Sequence, residues 1–111
     1  MVKIVNSAQE FNEVINSNQV VINMFGTRPC PMCERVEAIF DDISNTFNQS
    51  FVYSKLVIAW SGSSNDIRNI PYRLGVRVAP ALCVIKNGKM INYLIEFISK
   101  EQMIDWINKT L

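Results

Sequence analysis

Two of the three cysteines in this 111-residue chain lie three positions apart, at Cys30 and Cys33, in the segment R-P-C-P-M-C-E. A C-x-x-C spacing occurs in redox-active thiol pairs, in halves of metal sites and in ordinary buried cysteines. The thiolate, not the thiol, is the nucleophile in disulfide exchange, and an unperturbed cysteine titrates near ~8.5. The choice among these interpretations therefore depends on whether the surrounding residues can stabilise a thiolate or complete a metal site.

The composition argues against a complete metal site. A structural zinc site takes about four ligands of Cys or His type, whereas the chain has no histidine and one further cysteine, Cys83. We therefore expect no metal, and a metal shared across a dimer or an iron–sulfur cluster with outside ligands is the remaining alternative. Cys83 itself falls on a predicted strand and is expected to be a small buried hydrophobe.

The residues after Cys30 predict a helix that begins at the cysteine pair. Pro31 suits the first turn, where its missing N–H is not needed. Cys30 is then the N-cap, beside unpaired N–H groups and the positive end of the helix dipole, which favour the anion. Cys33 lies one turn on, at a separation that a disulfide can bridge. We therefore predict Cys30 as the exposed attacking thiol and Cys33 as the more buried resolving thiol. Four apolar residues continue the helix on one face: Val36, Phe40, Ile43 and Phe47.

The elements around this helix alternate between strand and helix patterns. Four apolar or β-branched runs predict strands: Val20–Phe25, residues 51–60, Ala81–Ile85 and Met90–Phe97. A capping box at Ser7 predicts a helix over roughly residues 7–17, ended by Asn16 to Asn18. A second capping box, at Ser99, predicts a C-terminal helix with four apolar residues on one face: Met103, Ile104, Ile107 and Leu111. A short helix over roughly 64–74 contains Pro71, and Asn87-Gly88 predicts a tight hairpin turn. The order α, β, α, β, short α, β, β, α predicts one α/β domain over residues 1–111 with a mixed sheet.

Composition and charge narrow the class of protein. Hydrophobic residues make up 49% and charged residues 19% of the chain, and its formal net charge is +1. No basic patch predicts nucleic acid binding. The N-terminus lacks the apolar region of a signal peptide, and the longest apolar run, Leu56–Trp60, is too short to span a bilayer. We expect a soluble cytoplasmic monomer that binds neither nucleic acid nor a membrane.

The residues resemble the thioredoxin family over nearly the whole chain. V-V-I-N-M-F runs into P-C-P-M-C as that family's strand runs into W-C-G-P-C. L-G-V-R-V-A-P is similar to its Y-G-I-R-G-I-P, and V-A-P-A-L-C-V-I-K-N-G-K is similar to its cis-proline, core strand and hairpin. S-K-E-Q-M-I-D-W-I resembles its closing helix. The resemblance implies a thioredoxin-like fold, with a central mixed sheet of four to five strands flanked by helices.

The resemblance also implies roles for individual residues. Cys30 takes the nucleophile position and Cys33 the resolving position. Pro80 takes the cis-proline position, and the backbone of Ala79 before it pairs with an extended substrate peptide. Further substrate contacts are expected from the residues around the thiols: Pro29, Pro31 and Met32.

The chain departs from the family pattern at several of these positions. Pro29 stands in place of the family tryptophan, and P-M replaces G-P between the cysteines. The family's buried acid falls at Met24, so the acid is absent there. Lys55, a candidate for proton-transfer support, is therefore expected to lack a carboxylate and to be neutral or to point to water. Asn23 would place a polar group there only if the strand register shifted by one residue.

Three functions fit these residues. The first is a thiol–disulfide oxidoreductase that acts on protein disulfides through Cys30 and Cys33, without a cofactor, in cell redox homeostasis, with a reductase such as thioredoxin reductase as its recycling partner. The second is a glutathione-dependent enzyme, because C-P-x-C is also the glutaredoxin pattern. The third is a protein-binding module with little redox activity, since the tryptophan and the acid are missing. The K-N-G hairpin and the terminal helix favour the first.

Overall fold

The computed structural model describes residues 1–17, 19–97 and 99–111. Within these residues, five strands form one mixed sheet in the order β1-β3-β2-β4-β5. The strands are β1 (Val2–Ile4), β2 (Val21–Arg28), β3 (Val52–Ala59), β4 (Ala81–Lys86) and β5 (Lys89–Leu94). The helices are α1 (Ala8–Ile15), α2 (Pro31–Thr46), α3 (Asn65–Arg73) and α4 (Lys100–Thr110). β1, β2 and β3 run parallel, and β4 and β5 are antiparallel to their neighbours.

The central strand β2 separates two apolar clusters. Its residues alternate between the two faces of the sheet, as in any strand. Ile22 and Met24 pack with residues of α2 and α4, whereas Val21 and Phe25 pack with residues of α1 and α3. β2 is followed directly by α2, so the start of that helix lies at the carboxyl end of the central strand.

The order of elements was predicted correctly except for β1, which the sequence analysis missed. β1 has three residues and pairs with β3 at the edge of the sheet. Lys3 and Ile4 are exposed, so this strand shows neither an apolar run nor a buried alternate face.

The ends of several helices and strands differ from the predicted ends by a few residues. β2 continues to Arg28, three residues past the predicted end, and β5 stops at Leu94 before Glu96, which has a φ of 58°. α1 ends at Ile15 rather than near residue 17. Of its predicted ending residues, Asn18 lies outside the described residues.

Local turn and capping signals were confirmed. Asn87 and Gly88 have φ values of 54° and 78°, the positive values that the predicted hairpin requires. The hydroxyls of Ser7 and Ser99 each accept an N–H bond from the residue three positions later, as N-caps do.

The predicted short helix with an internal Pro71 is present as α3, and Pro71 lies near its last turn. One prediction about a helical face was less accurate. Met103 and Ile107 of α4 are buried, but Leu111 is about half exposed, because the helix ends at Thr110. In the part of the chain that the structure describes, no helix has the length and apolar character needed to cross a membrane.

Candidate active site

Cys30 is the N-cap of α2, and Pro31 occupies the first turn, as the sequence predicted. The Cys33 N–H donates to Cys30 Sγ at 3.1 Å. This N–H is one of the groups at a helix start that have no partner within the helix. The Cys30 sulfur therefore lies where a donor and the positive end of the helix dipole both stabilise negative charge.

Cys30 and Cys33 form a disulfide, with their Cα atoms 5.2 Å apart. Cys30 is partly exposed, whereas Cys33 is completely buried. This is the asymmetry that the sequence analysis expected of an attacking and a resolving thiol. An external disulfide can reach Cys30 but not Cys33.

Gly26 and Met24 form the floor beneath Cys33. A Cβ atom on Gly26 would lie 3.5 Å from Cys33 Cβ and 3.6 Å from Met24 Cε, so α2 packs closely over this strand. Met24 is buried in the apolar cluster shared with α2. At Met24, where the sequence predicted that the family's buried acid is absent, the structure therefore has an apolar surface beneath the site. Thr27 Oγ1 lies 3.9 Å from Cys33 Sγ and supplies a hydroxyl beside that sulfur.

The prediction that Lys55 lacks a carboxylate partner is wrong. Lys55 Nζ lies 3.0 Å from Glu37 Oε1, and Arg28 Nη2 lies 2.5 Å from Glu37 Oε2. Glu37 belongs to α2 rather than to β2, and it is 7% exposed. Arg28 also donates from Nη1 to the carbonyl of Thr27 at 3.2 Å. We call Arg28, Glu37 and Lys55 the charge cluster.

Asn23 does not supply the missing polar group. The strand register is the expected one, since Met24 lies opposite Lys55 and packs on the α2 side. Asn23 therefore points to the other face, where its Oδ1 accepts a 2.7 Å hydrogen bond from the Ser54 hydroxyl. Its Nδ2 is buried and finds no hydrogen-bond partner in the part of the chain that the structure describes.

The peptide bond between Ala79 and Pro80 is cis, which is the isomer that the resemblance implied. The bond between Arg28 and Pro29 is also cis, which the sequence analysis did not predict. Both residues of the first pair are partly exposed, whereas Pro29 is exposed. Pro31 and Met32, the other two predicted substrate contacts, are exposed at the start of α2.

A groove of about 260 Å³ lies next to the cysteine pair. Gly26 and Thr27, which both approach Cys33, line one side, and Ala79 lines another. On the far side the Arg77 guanidinium stacks 3.7 Å from the centre of the Tyr72 ring. Large apolar side chains exposed on or near this surface include Tyr72, Met32, Val78 and Trp60. The backbone N–H of Trp60 donates to the Arg28 carbonyl.

Cys83 takes no part in this site. It is a free, completely buried thiol on β4, and burial raises its pKa to about 12. The prediction of a small buried hydrophobe is confirmed. Within the described residues, no three acidic or cysteine side chains come together as a metal site.

The thioredoxin family model matches residues 2–109. The chain belongs to the thioredoxin family. It is 30% identical over 100 residues to the thioredoxin of Rickettsia typhi, with 90% of each chain covered. It is 27% identical over 95 residues to thioredoxin 1 of Plasmodium falciparum, covering 86% of this chain and 85% of that one. The solved thioredoxin of Malassezia sympodialis superposes with a TM-score of 0.80 at 20% identity, over 100% of this chain and 92% of that chain.

Membership in the family confirms the fold and the class of reaction that the sequence implied. The mixed five-stranded sheet with its helices is the thioredoxin fold. With a bonded cysteine pair at the start of α2, the chain is a thiol–disulfide oxidoreductase of this family. Membership in this family suggests protein disulfides as substrates and a reductase as partner.

Three residues of the site were not predicted from the sequence: Glu37, Arg28 and Thr27. A signal for Glu37 was present, because it lies four residues after Cys33 and three before Phe40, both of them predicted on the buried side of α2. No comparable local signal marked Arg28 or Thr27, since β2 was predicted to end before them.

Proposed function

We propose that Cys30 is the nucleophile and Cys33 the resolving thiol of a dithiol that reduces protein disulfides. The observation that carries this proposal is the position of Cys30: partly exposed, at the N-cap of α2, bonded to a fully buried Cys33. A thiolate at a helix N-terminus that substrates can reach attacks, and a thiol that they cannot reach completes the reaction.

The reaction proceeds in two exchanges. The Cys30 thiolate attacks one sulfur of the substrate disulfide, a mixed disulfide forms and the other substrate sulfur leaves as a thiolate. Cys33 loses its proton and attacks Cys30 Sγ, which releases the second substrate sulfur. The substrate gains two electrons and becomes a dithiol, and the enzyme is left with the Cys30–Cys33 disulfide. An outside reductant must then reduce that disulfide.

We place substrate binding on the surface around Ala79, Pro80, Pro29, Pro31 and Met32. Ala79 borders the groove whose other wall contacts Cys33, so a chain bound along this segment passes next to the thiols. The exposed apolar side chains near the pair supply the contact surface that such a chain needs. Lys55 supports proton transfer at Cys33 through its ion pair with Glu37.

The setting of the reaction is also part of the proposal. We propose a single domain over residues 1–111 that acts as a cytoplasmic monomer in cell redox homeostasis and electron transport, with thioredoxin reductase as its recycling partner. Its small net charge of +1 gives no reason to add a nucleic acid or membrane partner.

Insulin reduction by dithiothreitol tests the roles of the two cysteines. We expect the protein to accelerate the reaction and Cys30→Ser to lose the acceleration, whereas Cys33→Ser accumulates mixed disulfides. Cys83→Ala is the matched control and should retain the parent rate. Equal rates for the parent and for Cys30→Ser would overturn the assignment. Faster turnover with glutathione than with thioredoxin reductase would overturn the proposed recycling partner.

A further inference from the structure

A buried carboxylate with two cationic partners lies one helical turn beyond the resolving cysteine. Cys33 and Glu37 are four residues apart on α2, a spacing that places side chains on the same face about 5–6 Å apart at Cβ. The Glu37 side chain is 10% exposed and the Lys55 side chain 14%, whereas the Arg28 side chain is 38% exposed. Ions so far removed from water require close partners, and Glu37 has one on each oxygen.

The charge cluster is also tied to the start of the active-site segment. Arg28 is the last residue of β2 and precedes Pro29 and Cys30 directly. Lys55 lies on β3 opposite Met24, the residue beneath Cys33. The three charges therefore come from three elements that meet below the cysteine pair.

Three other charged groups near the pair are better screened by water. Glu34 and Arg35 on α2 are exposed, and so is Arg77 on the segment before the cis proline. The facing part of β4, from Ala81 to Ile85, carries no charge. Glu37 and Lys55 are thus less solvated than these three groups, and their field is less weakened by water. Arg68 is half-buried and lines the groove as well, where it donates to the backbone carbonyls of Ala59 and Trp60.

The cluster has a net charge of +1, since Arg28 and Lys55 are positive and Glu37 is negative. We propose that this net positive charge, held below an apolar floor, stabilises the thiolate form of the Cys30–Cys33 pair and thereby sets its reduction potential. This inference depends on the proposed roles of the two cysteines. It places the charge-tuning carboxylate on α2 and not on β2.

The direction of the effect follows from the half-reaction. Two electrons break the S–S bond and produce two sulfur anions, which take up protons to the extent that their pKa values dictate. A positive charge nearby stabilises these anions and hence the reduced form, so it raises the reduction potential. A negative charge does the opposite.

Charge-changing variants of the cluster test this inference. Glu37→Gln raises its net charge to +2, Lys55→Met lowers it to 0, and the double variant returns it to +1. A unit charge ~8 Å away at an effective dielectric of ~30 shifts such an equilibrium by about tenfold. We therefore expect opposite shifts of about tenfold in the equilibrium constant with glutathione, which is about 30 mV each. Glu37→Gln should raise the potential and Lys55→Met should lower it.

The double variant and a surface variant are the controls. The double variant should return to within about threefold of the parent constant, although it carries the most substitutions. Glu34→Gln removes an exposed carboxylate from the same helix and should shift the constant less than Glu37→Gln does. If Glu37→Gln does not fold, the equilibrium constants of Lys55→Met and of the double variant can still be compared, and their difference tests the inference.

A cluster that only stabilises the fold would behave differently. Shifts of the same sign in both single variants, or shifts no larger than that of Glu34→Gln, would overturn the inference. The proposed function would survive that outcome, because it is decided separately by the activity of Cys30→Ser. The pH dependence of thiolate ultraviolet absorbance should confirm the signs, with the Cys30 pKa lowered in Glu37→Gln and raised in Lys55→Met.

Discussion

The first turn of α2 and the middle of β4 each bury a cysteine completely, yet the two thiols have different chemistry. Cys33 is bonded to Cys30 at a helix N-terminus, next to a hydroxyl and the charge cluster. Cys83 is a free thiol in an apolar cluster, and its burial raises its pKa to about 12. Equal burial therefore does not give equal reactivity. The helix terminus and the accessible partner sulfur are what differ.

The polar groups near the two cysteines differ in the same way. Near Cys33 the polar groups include the ions of the charge cluster, which come from the end of β2, the second turn of α2 and β3. Opposite Cys83 on the neighbouring strand is Asn23, which is bonded to Ser54 and carries no charge. The charged region lies at the edge of the site, where electrostatics can affect the thiols, whereas the neutral region lies within the sheet and serves packing.

Alkylation of the reduced protein should show the largest difference between the two regions. We expect iodoacetamide to modify Cys30 at least about a thousandfold faster than Cys83, because Cys83 is buried and is a thiolate only near its raised pKa. Mass spectrometry of peptides sampled over time gives both rates. In denaturant the rates should converge. Rates within tenfold of each other in the native protein would contradict the contrast.

The next effect is on stability at alkaline pH. The unfolded chain loses the Cys83 proton near ~8.5, whereas the folded protein keeps it until about 12. Between these values the folded state binds more protons, so the free energy of unfolding falls as pH rises, by at most about 1.4 kcal/mol per unit. Burial raises the pKa of Tyr53 to about 12 as well, which adds a similar decline above ~10.

Cys83→Ala isolates the cysteine contribution. We expect the oxidised parent protein, in which Cys30 and Cys33 do not titrate, to lose about 2 kcal/mol of stability between pH ~8.5 and ~10. The variant should show a nearly flat curve over that window. Urea unfolding at a series of pH values measures both. Parallel curves for the two proteins would mean that the buried thiol is not the titrating group.

The predictions from the sequence were most accurate for turns and helix caps, which depend on short segments of the chain. The hairpin at Asn87-Gly88, the caps at Ser7 and Ser99 and the Cys30 N-cap each depend on residues within one turn of the chain, and all were confirmed. Counting back from Cys30 also identified Met24 as the residue beneath the site, since a strand keeps its register.

The charge cluster shows where such reasoning stops. Lys55 was expected to be without a carboxylate because the acid of its neighbouring strand is missing, but its partner comes from α2. A contact between two elements depends on how a helix lies on the sheet, and no local pattern encodes that. The edge strand β1 was missed for a related reason: its pairing with β3 is a long-range contact made by three residues.

The smallest effect concerns the neutral polar pair on the Cys83 side of the sheet. Among the described residues, Ser54→Ala removes the only hydrogen bond of the completely buried Asn23 side chain, whose Nδ2 already has no partner there. An unpaired buried polar group costs more than a satisfied one contributes, so we expect a loss of about 1.5 kcal/mol in the free energy of unfolding. Urea denaturation of the oxidised protein measures it.

Removing both members of that pair should recover most of the loss, because apolar side chains on both strands leave no polar group unsatisfied. We therefore expect Asn23→Val combined with Ser54→Ala to unfold at nearly the parent urea concentration, with the glutathione equilibrium of the cysteine pair unchanged. The charge cluster differs on this point, since its double variant restores the potential by restoring net charge. A shift in potential from the Asn23 and Ser54 variants would show that both faces of the sheet tune the thiols, and the contrast between the two regions would then fail.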